Sequence, residues 1–270
     1  MKQIIKFFLI FIPAITFAQD LKYSEKELQQ KLDSIKTEAN LLFSHENASW
    51  HASDLANTNP KLRENMGSYL TYQSKDIIKT VFLNKDQSKI IAEYDFKNDQ
   101  KSPVKESFTQ RELDSTESTL KNIHSVVIPQ LSDPKYEVAL PQGYSLNLIL
   151  IPFKENYKIY LISGTSQSGI IPFGNDYLFV SDNKGKIISN QKIHSRLVPA
   201  QATMGDGSIA TMVTHSHLKT NPFISVTDIC TFKLYAPLTK LEEFSIYSPA
   251  LGTYMKYNYK KDSIEIVKKP

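Results

Sequence analysis

The chain has 270 residues, a formal net charge of +4 and 41% hydrophobic residues, which is an ordinary globular composition. That charge is too small to argue for nucleic-acid binding. Cys230 is the one cysteine, so no intramolecular disulfide exists and the fold must rest on its apolar core.

The first residues, "MKQIIKFFLIFIPAITFAQD", read as a secretory signal peptide over 1–18. Lys2 and Lys6 precede the apolar run, and the small residue Ala18 suits cleavage. The run is shorter than the roughly 20 residues of a membrane-spanning helix, and Pro13 interrupts it. Loss of the two lysines lowers the charge by two, from +4 to +2. The expectation is a periplasmic or secreted protein with no transmembrane segment after cleavage and no nucleic-acid partner.

The spacing of Leu28, Leu32, Ile35, Ala39 and Leu42 predicts a helix over 24–42, opened by a Ser24–Glu27 capping box. The polar stretch "SHENASWHASDLANTNPK", with His45, Trp50 and His51, is expected to be a loop. "DIIKTVFL" and "KIIAEYDF" around "NKDQS" predict a β-hairpin. A second helix is expected from Thr109, capped through Glu112, with Leu113, Leu120, Ile123 and Val127 inward and Pro129 at its end.

From residue 136 the chain reads mostly as strands: "YSLNLILIPF", "YKIYLISG", "DYLFVSD", "KIISNQKIH", "SIATMVTHSHL", "EEFSIYS", "TYMKYNYK" and "SIEIVKK". "DNKG" signals a hairpin. One short helix is expected over 227–234. The fold class is therefore α+β, with a helix-and-hairpin region over 19–135 and a strand-rich mixed domain over 136–270.

The chemistry concentrates in "THSHLKTNPFISVTDIC" (214–230). Alternate side chains of a strand share a side, so His215 and His217 project together and can share one Zn²⁺. Asp228 follows eleven residues after His217, at the start of the short helix. Ser225, one helical turn earlier, can face the same place. The competing structural reading is two partly buried histidines hydrogen-bonded to Asp228. Cys230 reads as a small buried residue, since nothing nearby marks it as activated.

The pattern resembles the JAMM (JAB/MPN) metalloproteases, which carry His-x-His-Pro, a loop and Ser-x-x-Asp. His215, His217, Ser225 and Asp228 stand at the family's spacings, and "FISVTDI" is similar to the run that opens its helix. The resemblance covers about 140–267 and is specific over 210–235. It implies Zn held by His215, His217 and Asp228, with Ser225 stabilising the oxyanion and a glutamate as general base on the zinc-bound water.

Two positions depart from the pattern. Leu218 replaces the proline after the second histidine. No glutamate occurs over 156–191, which leaves Glu155, in "PFKENYK", as the candidate base.

The cupin and metallo-β-lactamase His-x-His patterns fit worse, because their further acidic or histidine ligands are missing. His194, at a strand end, is conceivable as a third ligand but has no motif behind it. "IPFGNDYLF" and "GDGS" read as turns rather than phosphate loops. No Gly-x-Ser-x-Gly elbow exists. The expected function is an exported zinc-dependent peptidase or isopeptidase acting on an envelope or extracellular peptide. The alternative is a non-catalytic exported module that binds a protein or peptide partner and keeps a degenerate JAMM-like fold.

Overall fold

The computed structural model describes residues 23–97, 99–203 and 207–268; the expected leader over 1–18 lies outside them. The fold is α+β. It opens with α1 (Glu25–Thr58), and the Ser24–Glu27 capping box is formed as expected.

The helix does not stop near residue 42 but continues through the polar stretch. The reason is tertiary. His45, Glu46, Asn47 and Ser49 are buried, and Ala48, Ala52 and Ala56 form a small-residue stripe with i, i+4 spacing. That stripe packs on Phe82, Tyr94 and Phe96, so an apolar surface lies where a polar pattern suggested solvent. A short helix, α2 (Pro60–Asn65), follows, with Asn59 as its cap.

The first sheet is antiparallel, in the order β1 (Met66–Ser74), β2 (Ile77–Asn84), β3 (Lys89–Lys97) and β4 (Lys105–Ser107), with β5 (Arg111–Glu112) also pairing with β3. The predicted hairpin is β2–β3. The second helix, α3 (Ser115–Leu131), starts about six residues later than expected, with an Asp114–Glu117 capping box. Residues 111–112 are held instead in the sheet. Leu120, Ile123 and Val127 are buried as expected, and Pro129 lies inside the last turn rather than ending the helix.

The second sheet is built from β6 (Ser145–Phe153), β7 (Asn156–Gly164), β9 (Tyr177–Ser181) and β10 (Ile187–Lys192), in the order β10-β9-β7-β6. Two strands escaped the sequence reading: β8 (Ile170–Gly174) pairs with β11 (Leu197–Gln201). The last sheet runs β12 (Val213–Ser216), β13 (Glu243–Ser248), β14 (Thr253–Asn258) and β15 (Ser263–Lys268). The β12–β13 pair is parallel and the others antiparallel.

The strand carrying the His-x-His is shorter than expected. Ile209 and Met212 are exposed, and the ladder begins only at Val213. The short helix is α4 (Val226–Tyr235). It packs between α1 and the last sheet, where Leu32, Ile35 and Leu42 meet Phe232, Phe244 and Tyr257. None of the described helices is long and apolar enough to cross a membrane.

Candidate metal centre

Four side chains from three parts of the chain converge: His194, His215, His217 and Asp228, whose donor atoms all lie within 4.8 Å of one another. His215 sits on β12 opposite Ile246 of β13. His217 lies just past the strand end, where its N–H still donates to the Tyr247 carbonyl at 2.9 Å. The alternation expected of a strand therefore holds. His215 is further fixed by Phe173, at 5.0 Å between ring centroids, and by Phe244, whose ring stacks nearly parallel to it.

Asp228 is delivered by a capping box. Ser225 is the N-cap of α4, its hydroxyl accepting the Asp228 N–H at 3.0 Å. In return the Ser225 N–H and hydroxyl donate to Asp228 Oδ2 at 2.9 and 2.7 Å. The cap thus occupies Oδ2 and leaves Oδ1, a buried oxygen with no hydrogen-bond partner. Oδ1 faces His215 Nε2 at 3.2 Å and His194 Nε2 at 3.4 Å. Oδ2 lies 3.0 Å from His217 Nε2.

His194 completes the group, although no sequence motif marks it. It follows β10, and its ring Nδ1 lies 2.8 Å from Asp176 Oδ1. Asp176 also accepts the His194 backbone N–H at 3.1 Å and the Thr227 hydroxyl. Asp176 reaches this place because the chain turns sharply between β8 and β9, with Gly174 at φ 74° and Asn175 at φ 50°. A Cβ on Gly174 would lie 2.3 Å from the Arg196 carbonyl oxygen, so only glycine fits there. The stretch "IPFGNDYLF", which reads as a turn, is that turn. The one sequence signal that could have found it is the Gly-Asn-Asp run.

The tautomers follow from these contacts. His217 Nδ1 is 3.1 Å from the Asn221 carbonyl oxygen, so it carries the proton. His194 Nδ1 donates to Asp176 in the same way. Both Nε2 atoms then present lone pairs toward each other, 3.2 Å apart, and His215 Nε2 is 3.3 Å from His217 Nε2. Convergent lone pairs around an unpartnered carboxylate oxygen call for a cation. Burial disfavours a charged His194, but Asp228 and Asp176 outweigh it and raise its pKa to about 9. Burial likewise opposes ionisation of Asp228, and the three histidines outweigh it, holding the carboxyl well below the usual range.

The donor atoms are close enough together to share one ion. A tetrahedral ion with bonds of about 2.0–2.1 Å sets its ligand atoms roughly 3.3–3.4 Å apart. Four of the six separations among His194, His215, His217 and Asp228 Oδ1 are 3.2, 3.3, 3.4 and 3.2 Å, and all the donor atoms lie within 4.8 Å of one another. The group can hold a metal ion.

Neither a family model, a curated protein nor a solved structure matches this chain.

The other sequence candidates lie differently. Glu155 is exposed on the tight turn between β6 and β7 and is outside the four-residue group. The Ser225 hydroxyl is engaged with Asp228 and with Thr227 Oγ1 at 2.9 Å. Cys230 is fully buried, and burial pushes its thiol well above the ordinary value.

Proposed function

We propose that this protein is a zinc-binding, non-hydrolytic exported module, with one Zn²⁺ held by His194, His215, His217 and Asp228 as a structural centre. The observation that carries this reading is the unpartnered Asp228 Oδ1 within 3.4 Å of the His194 and His215 Nε2 atoms, each of which lies 3.2–3.3 Å from His217 Nε2. Imidazole nitrogens with a carboxylate oxygen are a donor set that suits zinc. The Asp176–His194 and Asn221–His217 contacts supply the outer hydrogen bonds that orient such ligands.

Four protein ligands close a tetrahedral ion, whereas a hydrolytic zinc keeps one position open for water. The carboxylates in contact with the group are Asp228, a ligand, and Asp176, already bonded to His194 and Thr227. Glu155, the base implied by the JAMM resemblance, sits on an exposed turn. The site ties the segment after β10, the β12 strand and α4 together in a chain with no disulfide.

One observation favours the peptidase reading. A cavity of about 450 Å³ reaches His215 between β11 and β12, walled by Phe173, Val198, Ala200 and Met212. A peptide could enter there if His194 left the metal.

The test is the elemental content of untagged protein spanning residues 19–270, with a broad peptide-hydrolysis screen on the same sample. About one zinc per chain is expected, lost in His217→Ala and Asp228→Ala, with no hydrolysis. Absence of zinc after add-back overturns the metal centre. Hydrolysis that persists in His194→Ala and disappears in Glu155→Gln replaces the structural reading with the peptidase.

A further inference from the structure

A second buried polar site lies away from the metal centre, beside the long helix α1. Between the edge strands of the first two sheets is a cavity of about 450 Å³. Strand β1 forms one wall and β6 the other, each the terminal strand of its sheet. Helix α3 supplies Leu120, Ile128 and Leu131, and β6 supplies Leu148 and Leu150. The lining is mostly apolar, with a few polar groups supplied by α1 and its neighbours. That is the build of a small-molecule site rather than of a packing defect.

Besides Ser49, Ser68, Tyr69, Thr71 and His124, the polar lining includes His45, Glu46 and Asn147. His45 Nδ1 donates to the Leu41 carbonyl oxygen at 2.8 Å, which leaves Nε2 as an acceptor. That Nε2 is buried and has no partner. Burial lowers the His45 pKa, so the ring is neutral. Glu46 is buried too. Oε1 accepts from Asn147 Nδ2 at 2.6 Å and Oε2 from the Ser49 hydroxyl at 3.2 Å. Each carboxylate oxygen has a further lone pair. Neither lysine nor arginine lines the cavity, and no ion pair of Glu46 occurs among the described residues.

A buried acid without a cation and an imidazole acceptor without a donor are both costly. The same object corrects both: a positively charged group with several N–H donors on an apolar body. We propose that the cavity between β1 and β6 binds a small alkyl amine, its ammonium between His45 Nε2 and Glu46 and its apolar body against α3 and β6. A carboxylate head fits worse, because no lysine or arginine lines the cavity and burial pushes His124, the other lining imidazole, toward its neutral form.

The test is calorimetric titration of the metal-replete mature chain with octylamine, octanol and octanoate. It is run at mildly alkaline pH, where both the amine and Glu46 are ionised. Octylamine is expected to bind once per chain, roughly tenfold or more tighter than octanol, because its hydrogen bonds are charge-assisted. Octanoate is expected not to bind. Glu46→Gln should weaken octylamine by about tenfold and bring it close to octanol; His45→Phe should weaken it as well. Zinc content and circular dichroism report whether each variant is folded. Should a variant misfold, the three-ligand series on the unaltered protein still decides. Absence of octylamine binding, octanol or octanoate binding as tightly as octylamine, or full affinity in folded Glu46→Gln overturns the proposal.

Discussion

His194 Nε2 and His217 Nε2 stand 3.2 Å apart, and the opposite nitrogen of each ring is already committed as a donor, to Asp176 and to the Asn221 carbonyl oxygen respectively. The pair is stable only with positive charge among the nitrogens, a proton in the metal-free protein or an ion in the loaded one. Asp176 decides how well His194 competes for that ion, because it fixes both the ring and its tautomer. Asp176→Asn should keep all four ligands yet weaken metal binding by about 10–100-fold. Competition against a chromophoric chelator checks this, and unchanged affinity would remove Asp176 from the site.

Glu155 is outside the four-residue group, so its replacement should spare the metal under either functional reading. Its side chain is exposed at a hairpin turn. Glu155→Gln should leave zinc content unchanged and shift stability by no more than about 0.5 kcal/mol, as for other surface replacements. Denaturant titration with parallel elemental analysis measures both.

Arg111 anchors a second structural network. Glu117 is fully buried and receives both Arg111 Nη atoms at 2.7 Å, the Tyr72 hydroxyl at 2.9 Å and the Asp114 N–H at 2.9 Å. Arg111→Ala leaves that carboxylate without its cation and should destabilise the fold by roughly 3–5 kcal/mol in urea unfolding. Arg111→Lys should recover only part of the loss, because an ammonium cannot reproduce the two-pronged contact.

Glu46 gives stability a pH dependence of defined sign. Burial pushes its carboxyl up to about 7, against partial opposition from Asn147 and Ser49. The groups around it are Ser49, Asn147, Tyr69, Cys230, Tyr235 and neutral His45, none of them a cation. The folded-state pKa lies above the unfolded one, so the folded state holds the proton more tightly. The contribution of Glu46 is complete below the unfolded pKa and declines as pH rises through about 7. Relative to Glu46→Gln, unaltered protein should lose on the order of 3 kcal/mol between mildly acidic and mildly alkaline pH. Thermal unfolding of the two proteins across that range measures the difference, and parallel curves would exclude a titrating Glu46.

What the sequence revealed was mostly local. Ser225 and Asp228 were legible because they lie one turn apart at a helix start, a short-range relation, and the His-x-His alternation because a strand has a period of two. His194 was conceivable as a third ligand but had no motif behind it, and Asp176 was not legible, because their meeting depends on the β8–β9 turn and on the β8–β11 pairing. The continuation of α1 past residue 42 was hidden for a related reason. His45, Glu46, Asn47 and Ser49 look like solvent-facing residues until the sheets beside them are in place. The start of α3 misled because two successive capping signals exist, and Arg111 is drawn into the sheet.

The parallel pairing of β12 with β13 sets an order on assembly. Among the described residues β12 has no other ladder partner, and that partner begins 28 residues after His215, at Glu243. A chain synthesised only as far as the end of α4 already carries all four donor side chains but has nothing to hold two of them at their spacing. The site therefore matures late, once residues 243–248 have emerged and paired. Fragments ending before Glu243 should bind metal weakly or not at all, although every ligand is present in them.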